Sequence, residues 1–151
     1  MIDWIRRKVK AVWVRIQIIA YLACSYVLIH RVRFGRWRDW LGNRLTPEAG
    51  AENTVVSEQK MYRARICGRM VARMAARSPI ELVCLPKSMA LHWLLRREGI
   101  SSQLHIGVEA GQPTEDVRGL HAWVEVAGVE VPAADSNEKF KKILTLAYPV
   151  R

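Results

Sequence analysis

The chain has 151 residues, of which half are apolar and a quarter are charged. This length suits one ordinary domain, and the composition excludes a disordered chain, a collagen-like repeat and a membrane protein with several spans. The 24 basic and 14 acidic residues leave a formal charge of +10. We therefore expect an acidic partner, which is a peptide, a nucleic acid or a lipid surface.

An apolar run at residues 11–29 has basic residues before and after it. Its length is close to the minimum for a membrane span. Arg15 and Gln17 interrupt its first half, and an arginine near the centre of a span costs about 2.5–3.5 kcal/mol on insertion scales. We favour a helix that is buried against its own domain or lies on a surface, while a membrane anchor or a signal peptide stays open.

The basic residues are concentrated in two stretches of the chain. Residues 1–44 carry a net +8 and residues 60–99 a net +7, whereas the intervening stretch is acidic. Residues 45–56 contain Pro47, Gly50 and small polar residues, a composition typical of a linker. We predict a basic helical N-terminal region with its linker over 1–56 and a second domain over 57–151.

A helix is predicted from Ser57, a good N-cap residue, to Arg77. Helical spacing gives it one apolar face, formed by Met61, Ala64, Cys67, Met70, Val71 and Met74. A basic row, Arg65, Arg69 and Arg73, recurs every four residues on another face, which we expect to be solvated. Ser78 and Pro79 should end the helix.

A second helix is predicted over residues 84–98. Pro86 stands near its start, leucines recur at helical spacing, and Gly99 is suited to the residue after its end. Cys84 therefore lies at a helix N-terminus.

Strand patterns follow this helix. Gln103–Glu109 alternates as a strand does, and His121–Val126 joins Val129–Pro132 through Ala127-Gly128 as a hairpin. Helices followed by antiparallel strands predict the α+β class.

The three cysteines form no CxxC motif and no paired Cys/His spacing, which argues against a disulfide framework or a structural zinc site and suits a reducing compartment. Cys24 and Cys67 fall on apolar helical faces and are expected in the core. The histidines that we expect to serve packing or interfaces are His30, His92 and His105.

Cys84 and His121 are the residues that could perform chemistry together. The unpaired N–H groups of a helix start favour a thiolate, and a nearby histidine could accept the thiol proton and later protonate a leaving amine. An acceptor would then have to orient the imidazole. Asp135 is the nearest candidate but requires a bulge in the hairpin register, and Asp116 and Glu125 are the alternatives.

Two blocks of the sequence resemble a known family. They are CLPKSMAL from Cys84, continuing through LLRREG, and HAWVE from His121. In this order and spacing they resemble the transglutaminase-like leader peptidases of lasso peptide biosynthesis, over about residues 60–135. The short chain with a basic helical N-terminus is similar to the stand-alone protease form.

The resemblance implies a papain/transglutaminase-like core and a Cys-His-Asp cysteine protease that removes the leader from a ribosomally made precursor peptide. Cys84 would be the nucleophile, His121 the general base and acid, and Asp135 the third member. The family's acidic residue usually lies closer to the histidine, where this chain has Ala133 and Ala134. A bulged strand or another orienting group therefore stays open.

The resemblance also implies two partners, a separate small leader-recognition protein and an ATP-dependent lasso macrocyclase, in the cytoplasm. Residues 1–44 could contact the inner membrane surface, and acyl transfer by a thiolate requires no metal or cofactor. We expect no nucleic-acid partner for such a peptidase.

Two other functions compete with leader removal. One is a different acyl transfer on the same scaffold, such as transglutaminase or amidase chemistry. The other is a non-catalytic basic adaptor, which would bind an anionic membrane or a nucleic acid through residues 1–44 and the row Arg65, Arg69 and Arg73.

Overall fold

The computed structural model describes residues 2–45, 56–109, 120–133 and 140–148. Helices come first and an antiparallel sheet follows, which confirms the α+β class. The helices are α1 (Ile2–Arg31), α2 (Phe34–Trp37), a short 3-10 helix (Arg38–Leu41), α3 (Glu58–Ala76) and α4 (Cys84–Arg97). The strands are β1 (Asn43–Arg44), β2 (Gln103–Glu109), β3 (Leu120–Val126), β4 (Val129–Val131) and β5 (Phe140–Ala147).

The predicted hairpin between β3 and β4 is confirmed, including its register. Val126 pairs with Val129 across the two-residue turn. Ala127 and Gly128 have φ angles of 49° and 74°, and two consecutive positive φ angles give the tight turn that suits the twist of two antiparallel strands. The ladder ends at the pair Val124–Val131.

β5 was not predicted from the sequence, and it lies inside the sheet. The strand order is β1-β5-β2-β3-β4, so the last strand pairs with β2 on the side away from β3. β2 is consequently the central strand, with hydrogen-bonded neighbours on both sides.

The predicted bounds of α3 agree with the structure to within one residue. Ser57 caps the helix by accepting a hydrogen bond from the Lys60 N–H. The buried face is turned slightly from the predicted one: Met61 is only partly buried, and Ala75 joins the core. Gly68 lies where a Cβ would be 2.6 Å from the Pro132 carbonyl oxygen, so its lack of a side chain lets α3 approach the end of β4.

α4 is the central helix of the domain. Its leucines Leu91 and Leu94 are fully buried in a core that includes Val124 of β3. α1 and α3 pack on other sides of α4. The Ser88 hydroxyl donates a hydrogen bond of 2.8 Å to the Ala122 carbonyl, which fixes α4 against β3.

α1 packs along α4 but buries only one side. Ile18, Leu22 and Leu28 belong to the core, and the Ser25 hydroxyl donates to the Pro86 carbonyl at 3.2 Å. Cys24 is exposed, so the expectation that it is a core residue is wrong. The reason is that the apolar run continues around the helix, while only one face of it meets the domain.

By length and composition alone, Lys8–Arg31 could cross a membrane, although the same test is passed by core helices and signal sequences; 28% of its most apolar window is buried. The predicted linker lies almost wholly outside the described residues, which end at 45 and resume at 56. The boundary between 1–56 and 57–151 stays a prediction.

His92 joins α4 to two other parts of the fold, which confirms its predicted packing role. Its Nε2–H donates to the Leu41 carbonyl at 2.9 Å, so the neutral ring accepts at Nδ1 from the Ser102 hydroxyl, also at 2.9 Å. The ring stacks on Tyr148, and the side chain is fully buried. Burial above all, and then the charge of Arg96, lower the pKa of His92 to about 4.

Candidate active site

Cys84 is the first residue of α4, as predicted. The preceding residue, Val83, is extended and offers no side-chain cap, so the N–H groups of the first turn are not satisfied by a capping side chain there. Pro86 stands in this first turn, where its missing N–H removes no helical hydrogen bond. The Cys84 side chain is partly exposed, which leaves the thiol accessible at a helix N-terminus.

The thiol of Cys84 lies against the first residue of β3. Its Sγ is 3.8 Å from the Leu120 carbonyl oxygen, and His121 is the next residue of the strand. The fold thus brings Cys84 into contact with Leu120, which is 36 positions away in the sequence. The contact is made with the strand backbone beside His121.

The His121 ring contacts two aromatic rings. It stacks on Phe140 with 4.4 Å between ring centroids and on Trp123 with 5.9 Å, and only 7% of the residue is exposed. Side chains alternate between the two faces of a strand, so His121 and Trp123 lie on one face of β3 and the core residue Val124 lies on the other. These stacks restrict the orientation of the imidazole.

Gly107 makes room for this row of rings. It is paired with His121 across β2 and β3. A Cβ at this position would be 2.9 Å from the Trp123 ring and 2.6 Å from the Lys141 carbonyl oxygen. The absence of a side chain on Gly107 therefore lets Trp123 lie flat over the strand and beside His121.

Glu125, one of the alternative acceptors, lies on the same face of β3 as His121, and its described contacts are with His105, Trp123 and Lys142. One carboxylate oxygen is 3.2 Å from His105 Nε2, and the other accepts from the Trp123 indole N–H at 2.9 Å. The Lys142 ammonium donates at 2.9 Å to the carboxylate oxygen that lies near His105. Burial acts to raise the pKa of Glu125, but the nearby His105 ring and the hydrogen bonds from Lys142 and Trp123 together outweigh it, so the pKa falls to about 2.

Glu125 is therefore an ionised partner of His105, and the described contacts do not assign it to His121. A packing role was predicted for His105, which is buried, but its pairing with Glu125 was not predicted. The register of β2 and β3 would have indicated the pairing of His105 with Glu125. It sets His105 opposite Trp123 and therefore diagonally across from Glu125, and diagonal neighbours on one face of a sheet can be in contact. His105 also bonds Thr145 of β5 at 2.9 Å, and β5 was not foreseen.

The remaining candidate acceptors, Asp135 and Asp116, lie outside the described residues. Their assignment to His121 stays a prediction. Within the part of the chain that the structure describes, no three His, Cys, Asp or Glu side chains are grouped so that they could hold a metal ion.

A groove of about 490 Å³ lies at the other end of α4 from Cys84. It is lined by Tyr21, Cys24, Trp40, Trp93, Arg96 and Arg97. The lining residue of α4 nearest to Cys84 is Trp93, so about 14 Å of helix separates the groove from the thiol. The groove is not part of the candidate site.

The comparisons with known proteins assign the family. Residues 28–145, well over half of the chain, match the transglutaminase-like superfamily. The chain belongs to the transglutaminase-like superfamily. No curated protein and no solved structure matches it. Members of this superfamily are usually cysteine peptidases or transglutaminases, so the family is consistent with cysteine protease-type chemistry.

In this member of the superfamily, the matched region begins near the end of α1 and includes α3, α4 and the strands. Cys84 and His121 both lie inside it. Most of α1 precedes it.

Cys67 should resist alkylation in the folded protein. It is buried in α3, and burial together with the nearby Glu98 carboxylate raises the pKa of its thiol to about 11. About one thiol in a thousand would then be thiolate at pH 8, and the thiolate is the reactive form. We expect iodoacetamide to label Cys67 at least about tenfold more slowly than exposed Cys24, as followed by peptide mass.

The internal reference in that experiment is the same protein in denaturant, where Cys24 and Cys67 should react at similar rates. Equal rates in the native protein would show that Cys67 is not buried in solution.

Proposed function

We propose that this protein is a cysteine peptidase that removes the leader peptide from a ribosomally synthesised lasso peptide precursor before the macrocycle forms. The observation that carries the proposal is the contact of the Cys84 thiol, at a helix N-terminus, with the strand backbone beside His121. Membership of the transglutaminase-like superfamily supports cysteine chemistry at this position. The sequence blocks that begin at Cys84 and His121 support the choice of substrate.

In the proposed reaction, Cys84 attacks the carbonyl carbon of the scissile peptide bond while His121 accepts the thiol proton. The negative charge that develops on the carbonyl oxygen can be stabilised by the backbone N–H of Cys84. When the C–N bond breaks, His121 gives its proton to the leaving amine. That amine is the new N-terminus of the core peptide, and the leader remains bound to Cys84 as a thioester.

Water completes the cycle. His121 removes a proton from the water molecule as its oxygen attacks the thioester carbon, and the sulfur leaves and regains the proton. The leader departs as a carboxylic acid. The stacks of His121 on Phe140 and Trp123 support this role because they hold the imidazole in one orientation through the successive proton transfers.

Asp135 is proposed as the residue that orients His121. The engagement of Glu125 with His105 favours this choice, because Glu125 was the alternative on the same strand. The proposal also includes two cytoplasmic partners: a small protein that captures the leader, and an ATP-dependent macrocyclase that joins the freed amine to a side-chain carboxylate.

The experiment mixes the purified protein with its precursor peptide, with and without the leader-binding protein, and follows the masses over time. Release of leader acid and core peptide together supports the proposal. Intact precursor throughout, with binding of the leader-binding protein demonstrated, would overturn it and favour a basic adaptor. A leader acyl group joined to an added amine would instead assign the transglutaminase chemistry that also occurs in this superfamily.

A further inference from the structure

α1 has two apolar faces on opposite sides. One is the buried face described above, which contains Ile18 and Leu22. The other is an exposed stripe whose large side chains are each between 51% and 62% exposed: Val9, Val12, Trp13, Ile16, Ile19 and Val27. At 100° per residue, this exposed stripe is centred about 180° from the buried face.

The exposed stripe is long enough to form a surface. From Val9 to Val27 it extends about 27 Å along the helix. A contiguous apolar surface of this kind usually marks an interaction site in a soluble domain. Since the domain covers the opposite side of α1, whatever binds the stripe meets the helix from outside.

The charges beside the stripe identify the partner. Lys8 and Arg15 lie along one edge of it, and Arg6 and Lys10 lie along the other; all four are exposed. Asp3 is the only acidic residue in the first 38 positions of the sequence. An apolar stripe with basic edges complements a surface that is apolar inside and anionic outside.

We propose that the exposed stripe of α1 binds the surface of an anionic lipid bilayer, with the helix lying in the plane of the membrane. The apolar side chains enter the boundary between headgroups and acyl chains, and the basic side chains reach the lipid phosphates. Trp13 of the stripe is 54% exposed, and an indole ring favours this interfacial depth. The protease domain remains on the aqueous side.

Two other arrangements fit the structure less well. Pairing of the stripe with a second copy would bring two sets of basic edges together, which like-charge repulsion disfavours. Spanning of the bilayer by α1 would require the helix to leave α4, exposing the core residues Ile18 and Leu22 and breaking the hydrogen bond from Ser25 to Pro86. The in-plane arrangement preserves every described contact of α1.

The test uses the full-length protein and flotation with two kinds of vesicle, phosphatidylcholine alone and phosphatidylcholine mixed with phosphatidylglycerol. The wild-type protein should float with the anionic vesicles and much less with the neutral ones, and added salt should weaken the binding. The double variant Val12→Ser/Ile16→Ser should bind at least about tenfold more weakly, because both side chains are half-exposed members of the stripe. Ala11→Ser, exposed on the same helix but outside the stripe, is the matched control and should bind as the wild type does.

Several outcomes would overturn the proposal. Flotation that survives the double variant, or no flotation with anionic vesicles, would remove the stripe as a lipid site. A concentration-dependent dimer that the double variant abolishes, without vesicle binding, would assign the stripe to a second copy. Resistance to alkaline carbonate extraction would assign a spanning helix. Since the exposed stripe lies on the side of α1 that faces away from α4, these results leave the proposed peptidase activity to its own assay.

Discussion

Replacing Cys84 by alanine should reduce cleavage of the precursor peptide by at least about 10³-fold, because the variant has no nucleophile to form the thioester. The substitution removes a partly exposed sulfur at a helix start, so the fold should be retained. The measurement is the initial rate of leader release by mass spectrometry, with the leader-binding protein present. Cys24→Ala, which removes an exposed thiol on α1, is the matched control and should retain the wild-type rate.

His121→Ala should lower the same rate by about 10²–10⁴-fold, because both proton transfers would lose their general base and acid. His30→Ala provides the comparison, since His30 is exposed on α1 and bonds only within its own helix in the described structure. Cleavage by Cys84→Ala at the wild-type rate would show that Cys84 is not the nucleophile. If His121→Ala were fully active and Cys84→Ala inactive, Cys84 would still be the nucleophile, but a residue other than His121 would have to be the general base.

Replacing His92 by alanine should lower the free energy of unfolding by about 4 kcal/mol. The change leaves a cavity in the core and two buried polar groups, the Leu41 carbonyl and the Ser102 hydroxyl, without the ring that bonds them. Denaturant unfolding followed by circular dichroism measures the difference. His30→Ala should change the free energy by less than about 0.5 kcal/mol, because the side chain is exposed.

The same histidine should make the protein sensitive to mild acid. Its pKa is about 4 in the folded protein and 6.5 when unperturbed, so between these values the unfolded chain binds a proton that the folded chain does not. The contribution of His92 to the free energy of unfolding should therefore be fully present above pH 6.5 and fall by about 3 kcal/mol as the pH is lowered to 4. The contribution of Glu125 to stability is lost at lower pH. Folding lowers its pKa from 4.5 to about 2, so this contribution disappears only as the pH falls through that interval.

Comparison with the variant His92→Gln separates the contribution of His92 to the pH dependence of stability from the contributions of the other titrating groups. The stability advantage of the wild type over His92→Gln should shrink on acidification through this window. An advantage that stays constant from pH 7 to pH 4 would show that folding does not lower the pKa of His92.

The local elements of the candidate site could be predicted because short-range chemistry sets them. A proline in the first turn, leucines at helical spacing and Gly99 after the last turn fix α4 and put Cys84 at its start. Ala127-Gly128 between two apolar stretches fixes the hairpin that carries His121. Each of these signals depends on residues a few positions apart.

Other features of the site could not be predicted because they depend on distant residues. The basic, weakly alternating β5 gives a poor strand signal, yet it provides Phe140 to the His121 stack and Thr145 to His105. The partner of Glu125 likewise depends on the pairing of β2 with β3. Cys24 was misjudged because hydropathy indicates that a helix is apolar without indicating which side the domain covers.

By itself, the sequence of this protein determined the α+β class, the helix start at Cys84 and the hairpin after His121, since propensities, caps and turns act within a few residues. Only the tertiary structure decided that the Cys84 thiol meets the backbone beside His121, that Glu125 pairs with His105, and that α1 presents an apolar face to solvent. These outcomes depend on how helices and strands dock, and docking is set by the shape and burial of the whole core, which no local stretch of sequence contains.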